Sequence, residues 1–487
     1  MERSRFQTMA KRYRDDCRRK SPMLYFRNIA VVAVLFLGQP FLAAAATPDM
    51  TEAIVSPTAE GGAVTLERLK QAAERHDPES LYRLATLAFE GKLVRRDHEQ
   101  AAGLFKRAAT KSHAGAQNAF GFMLENGLGV AKNEQEAAFW YERAAAAGDG
   151  EAQYNLGRLY QEGRGVQRSI EQALSWYTKA AAAGSGIAAY HVGLLYESGT
   201  IAPEQGVPNV ALRERAANAP EQNVPKPAAA LEWYEKAAQG GHDMAQYKLG
   251  KALYEGKGVA RDPVQGIAWI EKSAAQGNPL AQHLLALQLA GDGFKAADEP
   301  RAMRLAMAAA YAGLPAAERV VGSFLEYGVG AAKDPHAAVR WYREAAIRGD
   351  AEAGLRLAIL LDEGPPVLRS PREASAWYEK ASAAGWRNAD LRLGLLYEAG
   401  KGVERDYAQA LRRYERAADA GYPEALYRIA VLHDEGLGVK RDSRLALEWY
   451  AKAAERGHAE ANQVIQRLMK ILERDGDPFG KLKFGKF

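Results

Sequence analysis

Residues 149–184 read DGEAQYNLGRLYQEGRGVQRSIEQALSWYTKAAAAG, and this stretch decides the fold. The same pattern is written ten times between Asp77 and Gly457, nine of the copies having a period of 36 residues. A fixed period of this length indicates an array of one supersecondary unit, in which each copy stacks on the next. The copies begin at Asp77, His113, Asp149, Ser185, His242, Asn278, Leu314, Asp350, Trp386 and Tyr422.

Each copy predicts two amphipathic helices. With the residues of a copy numbered from 1 to 36, apolar or small side chains fall at positions 5, 8, 9 and 12 and again at 25, 28, 29, 32 and 33. Spacings of three and four place each set on one helix face. A Gly-x-Gly-Val run between the sets, such as Gly163 to Val166, allows a left-handed helix cap and a chain reversal. We therefore expect a first helix, a turn and a second helix in every copy.

Small residues at position 9, which is Gly or Ala in all ten copies, imply that a large group presses on the first helix. Position 28 supplies that bulk in this interpretation, because seven of the eight tryptophans occur there. Packing in the core is a simpler role for these rings than binding a cofactor, and truncation of any one to alanine is expected to cost about 3–5 kcal/mol. The seven residues are Trp140, Trp176, Trp233, Trp269, Trp341, Trp377 and Trp449.

The LGxLYxxGxGV turn and the WYxKAAxxG second helix closely resemble the Sel-1-like repeat, a relative of the tetratricopeptide repeat. The resemblance covers about four fifths of the chain, and ten copies in register make it specific. It implies an all-α fold: a right-handed α/α superhelical solenoid of ten 36-residue helical hairpins, with a capping helix at each end. It also implies a protein whose relatives mostly bind other proteins.

The repeat pattern divides the chain into segments. The solenoid is expected over residues 64–475, with the ten copies at 77–457, and residues 47–63 are expected to form a flexible linker because they lack a helical period and contain prolines and a Gly-Gly pair. Copy four carries a proline-rich insertion of 21 residues within 200–226, which is either a partner-contacting loop or a tolerated insertion. The basic and aromatic tail at 476–487 either frays or docks on a membrane or a partner.

The first 46 residues have the form of a secretory signal peptide. A basic segment precedes the apolar run 29–37, and the alanines that end at Ala46 offer a cleavage site. Met23 is a second possible start, because the segment before it is long and charged for a leader. We expect export, with the periplasm as the destination and no stable membrane insertion after cleavage; an uncleaved anchor in the inner membrane, facing the periplasm, is the alternative.

Removal of the leader changes the charge of the chain. The leader contains nine basic and three acidic residues, so 56 basic residues remain against 57 acidic ones. The net charge falls from +5 to about −1, which gives no support to binding of nucleic acid. The single cysteine, Cys17, is lost as well, so the mature chain contains no disulfide and depends on repeat packing for its stability.

The sequence carries no signature of an enzyme. It has no HExxH, Walker loop, Gly-x-Ser-x-Gly or Ser-x-x-Lys motif, and no His-x3-His spacing for a metal. His113, His242 and His458 recur at position 1, which predicts polar surface residues at the turns between copies. We therefore expect no catalytic residue, no metal and no cofactor.

Two surface features are candidates for partner binding. Acidic residues recur at position 13, among them Glu125 and Glu197, and either pair with the basic residues of position 31 or form an acidic stripe for a basic partner segment. Position 10 varies between copies and should line a concave wall together with positions 3, 6 and 13. The residues expected to contribute most to protein binding are Arg158, Tyr190, Tyr247, Lys251, Glu197 and Glu125.

These features predict a non-enzymatic scaffold or adaptor of the bacterial cell envelope, with other proteins as its partners. Neither the partner nor the oligomeric state is specified by the sequence. One rival is a regulatory subunit that masks an enzyme or a sensor, for example in exopolysaccharide control. A second rival is a peptidoglycan-active enzyme. The degraded copy six, in which leucine and alanine replace Trp and Tyr, predicts a bend or ordinary drift.

Overall fold

The computed structural model describes residues 59–200, 226–291 and 298–474. In these ranges the chain forms 22 α-helices and one short 3₁₀-helix, and no strand. The described residues fall into two compact units that divide between Ala147 and Gly148. The leader, residues 201–225 of the copy-four insertion, residues 292–297 in the turn of copy six and the tail after Arg474 lie outside the described residues.

The first unit contains five helices. They are α1 Ala59–Glu74, α2 Pro78–Glu90, α3 His98–Thr110, α4 Ala114–Asn126 and α5 Glu134–Ala146. Helix α1 packs on α2, ahead of the hairpins α2/α3 and α4/α5 that form copies one and two. The helix begins at Ala59, so the predicted linker 47–63 is wrong over its last residues. The rest of that linker lies outside the described residues.

The second unit contains the other 17 helices and copies three to ten. Copies three to six consist of α6 Gly150–Glu162, α7 Ile170–Ala182, α8 Gly186–Glu197, α9 Lys226–Gln239, α10 Asp243–Glu255, α11 Pro263–Ala275, α12 Pro279–Ala290 and α13 Glu299–Tyr311. Copies seven to ten consist of α14 Pro315–Tyr327, α15 Pro335–Ile347, α16 Ala351–Glu363, α17 Pro371–Ala383, α18 Arg387–Ala399, α19 Tyr407–Asp419, α20 Pro423–Glu435 and α21 Ser443–Glu455. Helix α22, Ala461–Arg474, packs on α21.

Local sequence fixes where the helices begin and end. In copy three the carboxylate of Asp149 caps the first helix by accepting from the Ala152 amide at 2.8 Å, and Ser169 caps the second. Gly163 ends the first helix with φ of +74°, as the Gly-x-Gly-Val run predicts, and Gly165 repeats the left-handed conformation at +68°. Copies six and eight depart from this turn, since Gly291 and Gly364 are extended.

The group that presses on position 9 is the ring at position 29, and the prediction that position 28 fills this gap is wrong. In copy three a Cβ placed on Gly157 would lie 2.8 Å from the Tyr177 ring, and Tyr177 is fully buried. The neighbouring Trp176 is only half-buried. Equivalent contacts place a tyrosine ring against the glycine of position 9 in four other copies, through Tyr141, Tyr234, Tyr342 and Tyr414. Because the hairpin closes on this contact, the tyrosine is its central core residue.

Candidate protein-binding surface

The buried tyrosine of position 29 also determines what the acidic column of position 13 does. The tyrosine hydroxyl donates to the position 13 side chain of its own copy, at 2.9 Å from Tyr141 to Glu125 and 2.6 Å from Tyr234 to Glu197. Tyr342 donates to Glu326 at 2.6 Å in the same way. Burial raises the pKa of Tyr234 and Tyr342 well above the ordinary value, so these two hydroxyls remain donors.

The carboxylates of position 13 are therefore part of the hairpin and do not form a free acidic stripe. Glu125 is 3% exposed, and it belongs to the first unit. Glu197 additionally accepts from Lys248 of the next copy at 2.6 Å, and these two bonds hold its pKa below the ordinary value although burial opposes ionisation. Both residues stay predictions as protein-binding residues, but each already has a partner within the chain.

The basic residues of position 31 serve a different purpose from the predicted pairing with position 13. In the second unit the lysine ammonium lies over the tryptophan three residues earlier, for example 3.9 Å from Lys179 to the centre of the Trp176 ring. Such cation–π contacts contribute about 0.5–1 kcal/mol at an exposed site. The same arrangement joins Lys236 to Trp233, Lys272 to Trp269, Lys380 to Trp377 and Lys452 to Trp449 at 4.0–4.1 Å. A lysine thus lies over one face of each of these five tryptophans. Of the seven tryptophans at position 28, Trp140, Trp233 and Trp377 are buried and the other four are half-buried.

The position 1 histidines hold neighbouring copies together, which the prediction of plain surface residues missed. His113 caps α4 and stacks on Tyr82 of the preceding copy, with ring centroids 4.6 Å apart. His242 stacks on Tyr190 at 4.5 Å, and His458 on Tyr427 at 4.1 Å. The sequence contains a signal for this contact. Three times, a tyrosine at position 6 of one copy is followed by a histidine at position 1 after that copy.

Four consecutive first helices, α6, α8, α10 and α12, carry an aromatic residue at position 6 and alternate a cation with leucine at position 10. We call these eight residues the aromatic strip. They are Tyr154, Arg158, Tyr190, Leu194, Tyr247, Lys251, His283 and Leu287. Seven of them are half-buried and Leu287 is exposed. Positions 6 and 10 are one helical turn apart, so both project from the same side of their helix.

Ring contacts connect the strip across copies three, four and five. The Tyr154 hydroxyl and the Nε2 atom of His191 are 3.2 Å apart, and His191 contacts Tyr190 with ring centroids 6.0 Å apart. Burial, helped by the positive charges of His242 and Arg158, lowers the pKa of His191 to about 4. His191 is therefore neutral near pH 7.

The structure brings four of the predicted protein-binding residues into the aromatic strip: Arg158, Tyr190, Tyr247 and Lys251. Arg158 is 3.6 Å from Glu162 of its own helix, so its charge is already partly balanced. The Lys251 ammonium lies 6.0 Å from the Tyr247 ring, and no ion pair to it is formed by residues in the described ranges. Lys251 is the cation of the strip that is most available to a partner.

Sequence reasoning missed a buried charge cluster between copies eight and nine. Asp390 is fully buried at position 5 and accepts from the Ser382 hydroxyl at 2.7 Å. Arg413, Arg416 and Arg387 approach the same carboxylate at 3.3–3.4 Å, and Arg413 also binds Glu379 at 2.6 Å. Arg413 stands at position 28, where seven copies have tryptophan. Arginine there together with aspartate at position 5 was the signal that could have identified the cluster.

Metal-binding clusters and membrane-spanning helices are absent from the described residues. Residues 59–200, 226–291 and 298–474 hold no group of three or more His, Cys, Asp or Glu side chains arranged to bind a metal ion. Among the same residues, no helix combines the length and the apolar character that a bilayer crossing requires.

A family model for the Sel1 repeat matches the chain ten times, on the boundaries of the hairpins. The matched residues are 78–113, 114–149, 150–185, 221–242, 243–278, 279–314, 315–350, 351–386, 388–422 and 423–458. The chain belongs to the Sel1 repeat family. Its fold is the all-α Sel1 repeat solenoid, a scaffold that commonly serves protein–protein interaction. Sel1 repeats are typically non-enzymatic.

Solved structures with Sel1 repeats are similar to this chain. A protective antigen present in uropathogenic Escherichia coli strains, which displays the same repeat fold, is 28% identical with a TM-score of 0.50, and the match covers 87% of this chain and 98% of that one. A Sel1 repeat protein from Oxalobacter formigenes is 28% identical with a TM-score of 0.43, covering 55% of this chain and 99% of that one. No curated protein matches the sequence.

Proposed function

We propose that this Sel1 repeat protein is a non-enzymatic scaffold or adaptor of the bacterial cell envelope, and that it binds a partner protein along the aromatic strip. One observation supports this most: the strip keeps aromatic, cationic and leucine side chains half-exposed over four consecutive copies. The core of the repeat does not require an aromatic residue at position 6, since copies two, seven, eight and nine have asparagine, arginine or leucine there. Aromatic residues and arginine are the side chains most often dominant in protein interfaces.

Charge reversal at Lys251 is expected to weaken partner binding at least tenfold, because Lys251 is the least compensated cation of the strip. The control is Val264→Glu, which introduces the same side chain into the second helix of the same copy, at a position that is 82% exposed. Affinity capture from the native envelope measures the effect for Lys251→Glu and for the control side by side.

A partner retained by the wild-type protein and by Val264→Glu, but lost with Lys251→Glu, supports binding at the strip. Equal loss in both variants would point to a general effect of charge, and equal retention would place the binding surface elsewhere. Recovery of the protein alone in every sample would contradict the scaffold. Turnover of cell-wall fragments by the purified protein would instead favour the peptidoglycan-active rival.

The envelope location in this proposal comes from the leader. We expect the native protein to begin at Thr47, after cleavage behind Ala46, and to be released with the periplasmic fraction. Mass spectrometry of the intact native protein checks the first residue, and replacement of Ala44 and Ala46 by bulky residues provides an uncleaved control. Peptides from 5–20 in the native protein would reject both cleavage and a start at Met23.

A further inference from the structure

In most copies of the second unit the tryptophan of position 28 has a cation of its own. Trp176, Trp233, Trp269, Trp377 and Trp449 each carry a lysine ammonium 3.9–4.1 Å from the ring centre. The lysine always comes from position 31 of the same helix. The repeat therefore contains a recurring site in which an ammonium group sits on an indole ring.

Copy seven keeps the tryptophan and reverses the charge. Trp341 is half-buried on α15, but position 31 is Glu344, which is exposed. Among the described residues no cation lies over the Trp341 ring, and no ion pair is formed by Glu344. Arg340 precedes Glu344 by one helical turn and points into solvent without pairing with it. The site that elsewhere is filled by a lysine of the same helix here presents a carboxylate.

The rim of this site is unusually apolar. Tyr311 packs edge-on against Trp341, with centroids 5.7 Å apart, and remains 62% exposed. Ile347, six residues after Trp341 on α15, is 66% exposed. Both stand at position 34, where the other copies have alanine, threonine, glutamine or an acid. We call the surface formed by Tyr311, Trp341, Glu344 and Ile347 the Trp341 groove.

A second carboxylate, close enough to Glu344 to respond to its charge, has one oxygen without a hydrogen bond. Glu318 is 3% exposed; one of its oxygens lies 3.1 Å from Arg348, and the other has no hydrogen-bond partner. Burial raises the pKa of Glu318, and the negative charge of Glu344 contributes to this shift. Glu318 and Glu344 stand near Arg348 and Arg340, so the attraction for a further positive charge comes from the exposed Glu344 carboxylate, which forms no ion pair among the described residues.

We propose that the Trp341 groove binds a lysine of the chain's own basic and aromatic segment, residues 476–487. That segment contains Lys481, Lys483 and Lys486, separated by leucine, phenylalanine and glycine, with a single acidic residue. An ammonium group would occupy the place over Trp341 that position 31 fills in other copies. The neighbouring Phe484 or Leu482 would cover Tyr311 and Ile347.

The length of the segment is sufficient for this contact. Three hairpins, those of copies eight to ten, lie between α15 and α22. Neighbouring packed helices are about 10 Å apart, so the groove is roughly 30–40 Å from α22. Helix α22 ends at Arg474, and the twelve residues from there to Lys486 span about 40 Å when extended. The segment is therefore long enough to reach the groove of its own chain when it is nearly extended, and the hairpins do not have to move.

The test uses the full chain labelled with 5-fluorotryptophan, in which the ¹⁹F resonance of Trp341 is assigned by its loss in Trp341→Phe. Truncation after Asp475 is expected to shift the Trp341 resonance. Replacement of the three lysines of residues 476–487 by glutamate is expected to shift it in the same direction. Trp377, which has its own Lys380, is the matched control and should not respond. A synthetic peptide of residues 476–487 should restore the original position in the truncated chain, and Glu344→Lys should weaken the peptide about tenfold.

The proposal is overturned if truncation leaves the Trp341 resonance unchanged. It is also overturned if the peptide binds the truncated chain and its Glu344→Lys variant with the same affinity. Circular dichroism of each variant confirms that the helices are intact, so a failure to fold is recognised separately. A change that depends on protein concentration, with a dimer in sedimentation, would assign the contact to a second copy and overturn the contact within one chain. The outcome is independent of the partner binding at the aromatic strip.

Discussion

Replacement of Asp390 by alanine is expected to lower the free energy of unfolding of the second unit by about 3–5 kcal/mol. The carboxylate is fully buried, and its removal leaves the Arg413 guanidinium, which is itself largely buried, without a charge partner on that side. The Ser382 hydroxyl also loses its acceptor. Urea denaturation followed by circular dichroism measures the loss, and hydrogen exchange should show it first in α17, α18 and α19, because repeat arrays can open locally.

Two further variants distinguish a charge effect from a general loss of packing. Glu379→Ala removes the other carboxylate that binds Arg413, but that side chain is 41% exposed, so the expected cost is at most about 1 kcal/mol. The double variant Asp390→Gln with Arg413→Trp restores the residues that other copies carry at positions 5 and 28, and should recover most of the stability. Equal destabilisation by Asp390→Ala and Glu379→Ala would show that the buried charge is not the cause.

Truncation of Tyr177 is expected to cost about 3–5 kcal/mol, whereas truncation of its neighbour Trp176 should cost about 1–2 kcal/mol. Tyr177 is fully buried between Gly157 and the rest of copy three, and its hydroxyl donates to Gln161 at 2.8 Å. Trp176 is half-buried and lies on the rim under Lys179. The order is the reverse of what residue size suggests, and it corrects the equal cost expected for all seven tryptophans.

Thermal and urea unfolding of Tyr177→Ala and Trp176→Ala in parallel measure the difference. Tyr177→Phe separates the ring from its hydroxyl, and should lose only about 1 kcal/mol through the missing hydrogen bond. A larger loss for Trp176→Ala than for Tyr177→Ala would contradict the assignment of position 29 as the central core position.

The helices and their order follow from the sequence because they depend on local patterns. Apolar spacing, capping residues such as Asp149 and the left-handed Gly163 act within one copy, so ten copies repeat the same evidence. Position 28 was assigned to the core because tryptophan is large. The structure shows that the contact with position 9 comes from position 29, which differs by one residue, or 100° around the helix.

The contacts between side chains were harder to predict. The acid of position 13 was expected to pair with position 31, but it binds the tyrosine of position 29, and the lysine binds tryptophan. Both alternatives satisfy the charge pattern, and only the relative rotation of the two helices decides between them. The Asp390 cluster is harder to predict for another reason: it joins residues from copies eight and nine, and its two unusual residues, Asp390 and Arg413, both lie in copy nine.

Copy four shows what the tyrosine contact means for the evolution of the repeat. Elsewhere the tyrosine and its acceptor are 16 residues apart, whereas Tyr234 and Glu197 are 37 apart and still form the bond at 2.6 Å. Gly193 still meets the Tyr234 ring. The hairpin is thus closed by its own side chains and does not depend on a short connection. Such a fold can acquire new segments at its turns without repacking of its helices. The residues that stabilise a copy and the segments that can be added to it therefore lie in different parts of that copy.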